Sequence, residues 1–156
     1  MESTKELFSL GFLCLFMLSA CQKSSFDAQK QVAKDDSLIV DFITQNNIQA
    51  TKHKSGLYYQ VINQGDGANI NTQSTVGVNY EGRLLNGHIF DKSEQILSFS
   101  LNRVIEGWAI GMPLIKVGGR LRLIIPSGLA YGNQSPGADI PKNSVLDFTI
   151  DLLYAN

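Results

Sequence analysis

Beyond position 21 this chain of 156 residues has no cysteine. The long remainder can therefore hold no disulfide, no thiolate-bound metal and no thiol nucleophile, so its stability has to come from packing. Histidine is almost as scarce. His53 and His88 stand far apart without a cysteine or carboxylate cluster, which argues against a metal site and against a histidine base beside a nucleophile; both are expected at the solvated surface. Nor is there an excess of one charge. The chain carries 13 Lys and Arg against 14 Asp and Glu. It shows no basic cluster of the kind that phosphates or an anionic membrane surface require, so nucleic acid is excluded as a partner. The one long apolar run, Leu7 to Ala20, is shorter than the about 20 residues that cross a bilayer.

That run ends in Leu18-Ser19-Ala20-Cys21 and resembles a bacterial lipoprotein signal. The small residues before the cysteine suit a signal-peptidase pocket, and Cys21 is expected to carry lipid on its thiol and on its new amino group. A plain secretory signal or a buried cysteine is the alternative reading. The start departs from the usual pattern, because Glu2 and Glu6 stand against Lys5 where such signals are basic. Without residues 1–20 the chain keeps 136 residues, enough for one domain and a short extension. They hold 12 basic and 12 acidic side chains.

Residues 21–34, rich in Gln, Lys, Ser and Ala, are expected to be a solvated flexible tether between lipid and domain. From residue 35 the pattern changes. Leu38, Ile39, Phe42 and Ile43 make one apolar stripe, and Asp35, Asp36 and Ser37 offer N-terminal caps, so a helix of about three turns is expected within 35–50. The domain proper is expected over 51–156. There the periodicity becomes two: Leu57, Tyr59 and Val61 alternate with Tyr58 and Gln60; Val76, Val78, Tyr80, Gly82 and Leu84 with Thr75, Asn79, Glu81 and Arg83. Leu121-Leu123-Ile125 and Leu146-Phe148-Ile150-Leu152 repeat it. Gly65-Asp66-Gly67 and Asn86-Gly87 are hairpin signals. Only Glu106 to Met112 reads as helix, kept short by Gly111 and Pro113. The fold class expected is α+β: a curved antiparallel sheet of about five strands wrapped around one short helix, with an N-terminal helical extension.

Between Val78 and Phe148 lie Tyr80, Phe90, Leu97, Phe99, Val104, Ile105, Trp108, Tyr131, Ile140 and Phe148, enough to line one small apolar pocket, with the single carboxylate Asp91 among them. Many rings, one acid and no activated nucleophile suit holding an apolar peptide segment better than cleaving a bond. For each aromatic taken singly, ordinary core packing is the competing reading.

Val78-Asn79-Tyr80-Glu81-Gly82, Gly87-His88-Ile89-Phe90-Asp91-Lys92-Ser93, Val104-Ile105-Glu106-Gly107-Trp108, Ala130-Tyr131-Gly132, Ile140-Pro141 and Leu146-Asp147-Phe148 follow in order. Together, over roughly residues 56–153, they resemble the FKBP-type peptidyl-prolyl cis/trans isomerases. The resemblance implies a catalytic set of Tyr80, Asp91, Ile105 and Tyr131 and a substrate wall of Phe90, Leu97, Phe99, Val104, Trp108, Ile140 and Phe148. It places the substrate proline ring over Trp108, and substrate carbonyls on the Ile105 backbone N–H and the Tyr131 hydroxyl. Asp91 would orient Tyr80 by hydrogen bonding or stabilise the twisted amide by its charge; a structural Asp in a hairpin is the other possibility. The sequence departs from the family at Leu97, where an aromatic is usual, at Lys142, where a second proline is common, and at Glu106, where a basic residue is frequent. The resemblance also implies no cofactor, clients with proline-containing segments and competition by a macrolide inhibitor; the lipoprotein-like signal together with the pocket points to a lipid-anchored location outside the cytoplasm, in the bacterial cell envelope. The N-terminal helix is too short for the dimers seen in longer relatives, so a monomer is expected. A chaperone-like lipoprotein that binds proline peptides with little turnover is the alternative function. The large flap that chaperone relatives insert between Phe90 and Tyr131 is missing from this chain.

Overall fold

The computed structural model describes the backbone of residues 13–156 and the side chains of residues 27–156. Most of the expected leader and the Cys21 side chain lie outside those described residues. The chain runs α1 (Leu13–Gln45), β1 (Thr51–Lys52), β2 (Tyr58–Asn63), β3 (Thr75–Leu84), β4 (Ile89–Lys92), β5 (Leu97–Ser100), α2 (Glu106–Gly111), β6 (Arg120–Ile125) and β7 (Leu146–Ala155), with three short 3-10 turns. Seven strands form one sheet in the order β1-β2-β6-β7-β3-β4, and β5 pairs with the other end of β3. Every strand pair is antiparallel. The architecture is the expected one, with more strands.

The alternation decides which side chains meet. Val76, Val78, Leu121, Leu123, Ile125, Leu146, Ile150 and Leu152 are all buried and point to the concave face, where α2 lies. Two glycines let α2 approach. A Cβ at Gly107 would stand 2.5 Å from the Ile125 side chain, and one at Gly111 would stand 2.5 Å from that of Leu123. Four residues apart, they form one helix face, so their missing side chains bring the helix backbone down onto β6.

Three sequence expectations need correction. The tether over 21–34 and the helix within 35–50 are one continuous helix, α1. No Gly or Pro interrupts residues 22–45, and Gln, Lys and Ala are good helix formers, so a polar composition does not mean coil here. Asp35, Asp36 and Ser37 are therefore interior residues and not caps. Second, Gly65-Asp66-Gly67 closes no hairpin. β2 pairs with β1 and β6, and β3 with β4, β5 and β7. The bend instead packs against residues 116–119, with the Gly67 N–H donating to the Val117 carbonyl at 3.0 Å. Third, Tyr58 is buried although it faces away from the concave core. It joins Ile39, Ile48, Ile124 and Val145 in a second apolar cluster, flanked by Phe42, Ile43 and Leu85, which α1 closes over the convex face.

Candidate active site

Strand parity aims Tyr80 and Phe148 at the concave face. Opposite Phe148 in the β3–β7 register stands Gly82, where a Cβ would approach Phe90 Cζ to 2.6 Å and Phe148 Cε1 to 2.7 Å. The bare glycine makes room for two rings, so it shapes the cleft wall without touching a ligand. Phe90 then packs edge-on against Phe148 at 5.5 Å and 85°.

Trp108, on α2, is the centre of the arrangement and only 4% exposed. Its ring stands nearly perpendicular to Tyr80 (5.3 Å), Phe148 (5.3 Å) and Phe99 (5.8 Å), and Tyr80 meets Phe99 at 5.9 Å. Such edge-to-face pairs contribute about 0.5–1.5 kcal/mol each beyond area burial. Interlocked as they are, they also fix one orientation for every ring. The Trp108 Nε1–H is buried and finds no hydrogen-bond acceptor among the described residues.

Of the remaining apolar residues expected at the site, Val104 and Ile105 are half-buried against this cluster, and Ile140 is buried in it from the 133–142 loop. Leu97 shares the face of Phe99 two residues away on β5 but is half-exposed, paired with Val78. Phe99, and not Leu97, is thus the β5 residue that touches the rings. Tyr131 is 39% exposed at the rim.

The polar groups are few and specific. The Tyr80 hydroxyl donates to Asp91 Oδ2 at 2.6 Å. Burial, then the bond to Asp91 and its negative charge, push that hydroxyl well above its ordinary value. Tyr80 therefore stays neutral and keeps its own proton, donating it to Asp91 as a hydrogen bond. Of the roles open for Asp91, the orienting one has its hydrogen bond in place, while Asp91 itself remains exposed. Ser93 fixes the same strand: its Oγ accepts from the Tyr80 N–H at 2.8 Å, and its own N–H donates to the Tyr80 carbonyl at 3.0 Å. Sequence reasoning finds Ser93 and Gly82 only as parts of motifs.

Besides the Trp108 Nε1–H, two donors at the rim are left over. Ile105 caps α2, its carbonyl accepting from the Trp108 and Ala109 N–H groups at 3.0 and 3.3 Å. Its own N–H, like the Tyr131 hydroxyl, meets no acceptor among the described residues. A half-dry aromatic slot rimmed by two unpaired donors can hold an apolar ring and bind the carbonyls beside it. It contains nothing arranged for covalent attack.

No three His, Cys, Asp or Glu side chains converge as metal ligands among the described residues. His53 is half-buried beside Ser55, and the exposed His88 faces Asp139 at 3.5 Å. A separate hollow of about 430 Å³ lies on the opposite face of the sheet, lined among others by Asn79, Glu81, Arg83, Lys92, Arg120 and Asp151. Its charges pair with one another, Arg83 and Lys92 with Glu81 and Arg120 with Asp151. Exposed Glu94 is left without an ion pair among the described residues, but the hollow offers no apolar walls, so the aromatic slot is the better candidate.

Known proteins point the same way. A family model described as FKBP-type peptidyl-prolyl cis-trans isomerase matches residues 67–153. A probable FKBP-type peptidyl-prolyl cis-trans isomerase of Haemophilus influenzae is 37% identical over 144 residues, covering 89% of this chain and 59% of the relative. FkpA of Escherichia coli K12, an FKBP-type peptidyl-prolyl cis-trans isomerase, is 40% identical over 139 residues, 86% of this chain and 50% of its own length. The chain thus spans about half the length of the curated relatives it matches. In three dimensions it is similar to the crystal structure of FkpA from E. coli, with a TM-score of 0.71 at 34% identity, over 99% of this chain and 75% of that one. A peptidyl-prolyl cis-trans isomerase from Pseudomonas syringae pv. tomato superposes with a TM-score of 0.73 at 28% identity, over 82% of this chain and 95% of that one.

Proposed function

Because this chain belongs to the FKBP-type peptidyl-prolyl cis-trans isomerases, we propose that it accelerates rotation about X-Pro bonds in unfolded or partly folded proteins. The rotation is slow because amide resonance sets a barrier of roughly 18–20 kcal/mol, giving half-times of tens to hundreds of seconds. A reduction of about 6 kcal/mol yields a roughly 10⁴-fold gain. The twisted amide has lost resonance and depends less on water around its carbonyl, so a dry cleft that favours it over the planar form lowers the barrier without proton transfer. Trp108 carries the proline ring, Tyr80, Phe90, Phe99 and Phe148 wall it in, and the Ile105 N–H and Tyr131 hydroxyl take flanking carbonyls. Asp91 holds Tyr80 in place.

The observation that carries this reading is the Trp108-centred cluster of rings with two unpaired donors at its rim. Prolyl exchange on a short X-Pro peptide, followed by NMR, tests it. Catalysis by the wild type that falls in folded Tyr131→Phe, Asp91→Ala and Trp108→Ala variants is expected. A folded wild type that binds the peptide and leaves the exchange rate unchanged overturns the reading and makes this a binding module.

The Leu18–Cys21 motif supports a finer reading. Lipid on Cys21 tethers the enzyme to an envelope membrane, outside the cytoplasm, where its clients are exported proteins. No helix among the described residues is long and apolar enough to cross a membrane. Labelled fatty acid should enter the wild type and be lost in Cys21→Ser; label-free wild type, or membrane-bound Cys21→Ser, refutes the anchor. A monomer whose cleft a macrolide competes for completes the proposal, checked by sedimentation and by competition binding.

A further inference from the structure

Asp35 is a carboxylate on the solvent-rich helix α1, yet it is only 1% exposed. Its Oδ2 accepts from both the backbone N–H of Ser127 at 2.8 Å and the Ser127 hydroxyl at 2.6 Å, and its Oδ1 accepts from Gln31 at 2.7 Å. Ser127 is itself buried and begins the 3-10 turn Ser127–Leu129 that follows β6. The Ser127 carbonyl accepts from the N–H of Ala130 at 3.0 Å and of Gly132 at 2.8 Å. Those two residues bracket Tyr131. Gly132, in the left-handed region at φ +60°, then accepts through its carbonyl from the Asn143 N–H at 2.7 Å, tying the same turn to the segment that leads into β7.

Apart from the Asp35–Ser127 bonds and this Asn143–Gly132 bond, the turn's hydrogen bonds are its own short-range ones. Two short bonds to one carboxyl oxygen in a water-poor place are stronger than the same bonds in water, so the Asp35–Ser127 pair is the firmest hold on the turn's first residue. It comes from outside residues 67–153, the segment the family model matches. We infer that Asp35 is a positioning residue for the isomerase site, holding through Ser127 the turn that presents the Tyr131 hydroxyl, so that docking of α1 sets the geometry of the cleft rim. The inference rests on the reading that Tyr131 binds a substrate carbonyl. It assigns α1 a part in turnover beyond spacing the domain from its attachment.

The experiment is a double-mutant cycle. Prolyl exchange is measured for Asp35→Ala, Asp35→Asn, Ser127→Ala, Tyr131→Phe and Asp35→Ala/Tyr131→Phe, with Lys52→Ala as a control that loosens α1 elsewhere. Hydrogen exchange of the Ala130 and Gly132 amides and the Tyr131 ring resonances are read on the same samples. Expected are a roughly 5- to 10-fold loss of kcat/KM in Asp35→Ala, no further loss from it once Tyr131 is Phe, faster exchange at both amides, partial recovery in Asp35→Asn and wild-type rates in Lys52→Ala. If Asp35→Ala does not fold, Asp35→Asn and Ser127→Ala decide between the outcomes. Unchanged turn amides and Tyr131 resonances in folded variants, or an equal loss with and without Tyr131, overturn the inference. If the wild type has no turnover at all, the functional reading fails while the amide and ring signals still decide whether Asp35 holds the turn.

Discussion

Each face of the sheet carries an apolar cluster, one under α1 and one around α2, and the two differ in how their polar groups end. Under α1 on the convex face, three buried or half-buried groups are paired: Asp35 with Ser127, the Tyr58 hydroxyl with Asp36 at 2.8 Å, and Arg122 with Asp147 through two bonds of 2.8 and 2.7 Å, its guanidinium over Phe42; on the same side of β3, beside the polar hollow, the Asn79 Oδ1 acceptor is buried without a partner among the described residues. On the concave face the Ile105 N–H, the Tyr131 hydroxyl and the Trp108 Nε1–H are left over. A surface meant to stay closed satisfies its donors, since each buried unmet one costs about 1–3 kcal/mol. One meant to receive a ligand keeps some in reserve.

The sharpest way to break this contrast is Trp108→Ala. Losing the central ring should cost about 3–5 kcal/mol of stability and at least tenfold in turnover, measured by urea denaturation and by peptide exchange in the folded fraction. Ile124→Ala, which empties the convex cluster instead, should cost about 2–5 kcal/mol, yet leave the affinity of the folded protein for a proline peptide unchanged in a titration. Asp91→Ala should lower turnover severalfold and, because the lost bond and charge both disfavoured the phenolate, bring Tyr80 ionisation to lower pH while burial still holds it above normal. An ultraviolet titration against Tyr80→Phe reads that shift.

The smallest effect belongs to Asp36. Its hydrogen bonds from Lys52 and Tyr58 hold its carboxyl below the usual value. The stability this adds is present above that usual value, near 4, and is lost as pH falls through the depressed one. Exposure keeps it under about 1 kcal/mol. Denaturation curves for wild type and Asp36→Asn should differ at pH 7, and the difference should shrink steadily as the pH is lowered below about 4 through the depressed value.

Much of this can be read from residue order. Period-two runs mark the strands, and Gly111 with Pro113 limits α2 (Glu106–Gly111) to a short helix. Tyr80, Phe90, Phe99, Trp108 and Phe148 do converge, because strand parity and one buried helix leave them little choice. Local pattern cannot say what covers the second face. Tyr58 reads as the polar half of an alternation, and Ile124 carries no signal of its own, since both are buried by a separate element, α1, that local periodicity does not report. Asp35 reads as a cap for the same reason: its partner is 92 residues away, and nothing near it in the chain distinguishes an interior acid from a cap. The 21–34 segment shows a further limit, in that a polar composition without Gly or Pro suits a helix as well as a coil.

A continuous α1 changes the mechanics of delivery. With Cys21 as the proposed attachment, the stretch of α1 from Cys21 to Asp35, where the helix docks on the domain, rises 1.5 Å per residue into a strut of roughly 21 Å. A floppy leash of the same residues would let the cleft wander through a volume reaching down to its attachment point. On the attachment proposed above, a strut would hold the cleft in a thin shell at a nearly fixed distance from Cys21, so chains emerging at that distance would meet it often and those lying close to the attachment would not.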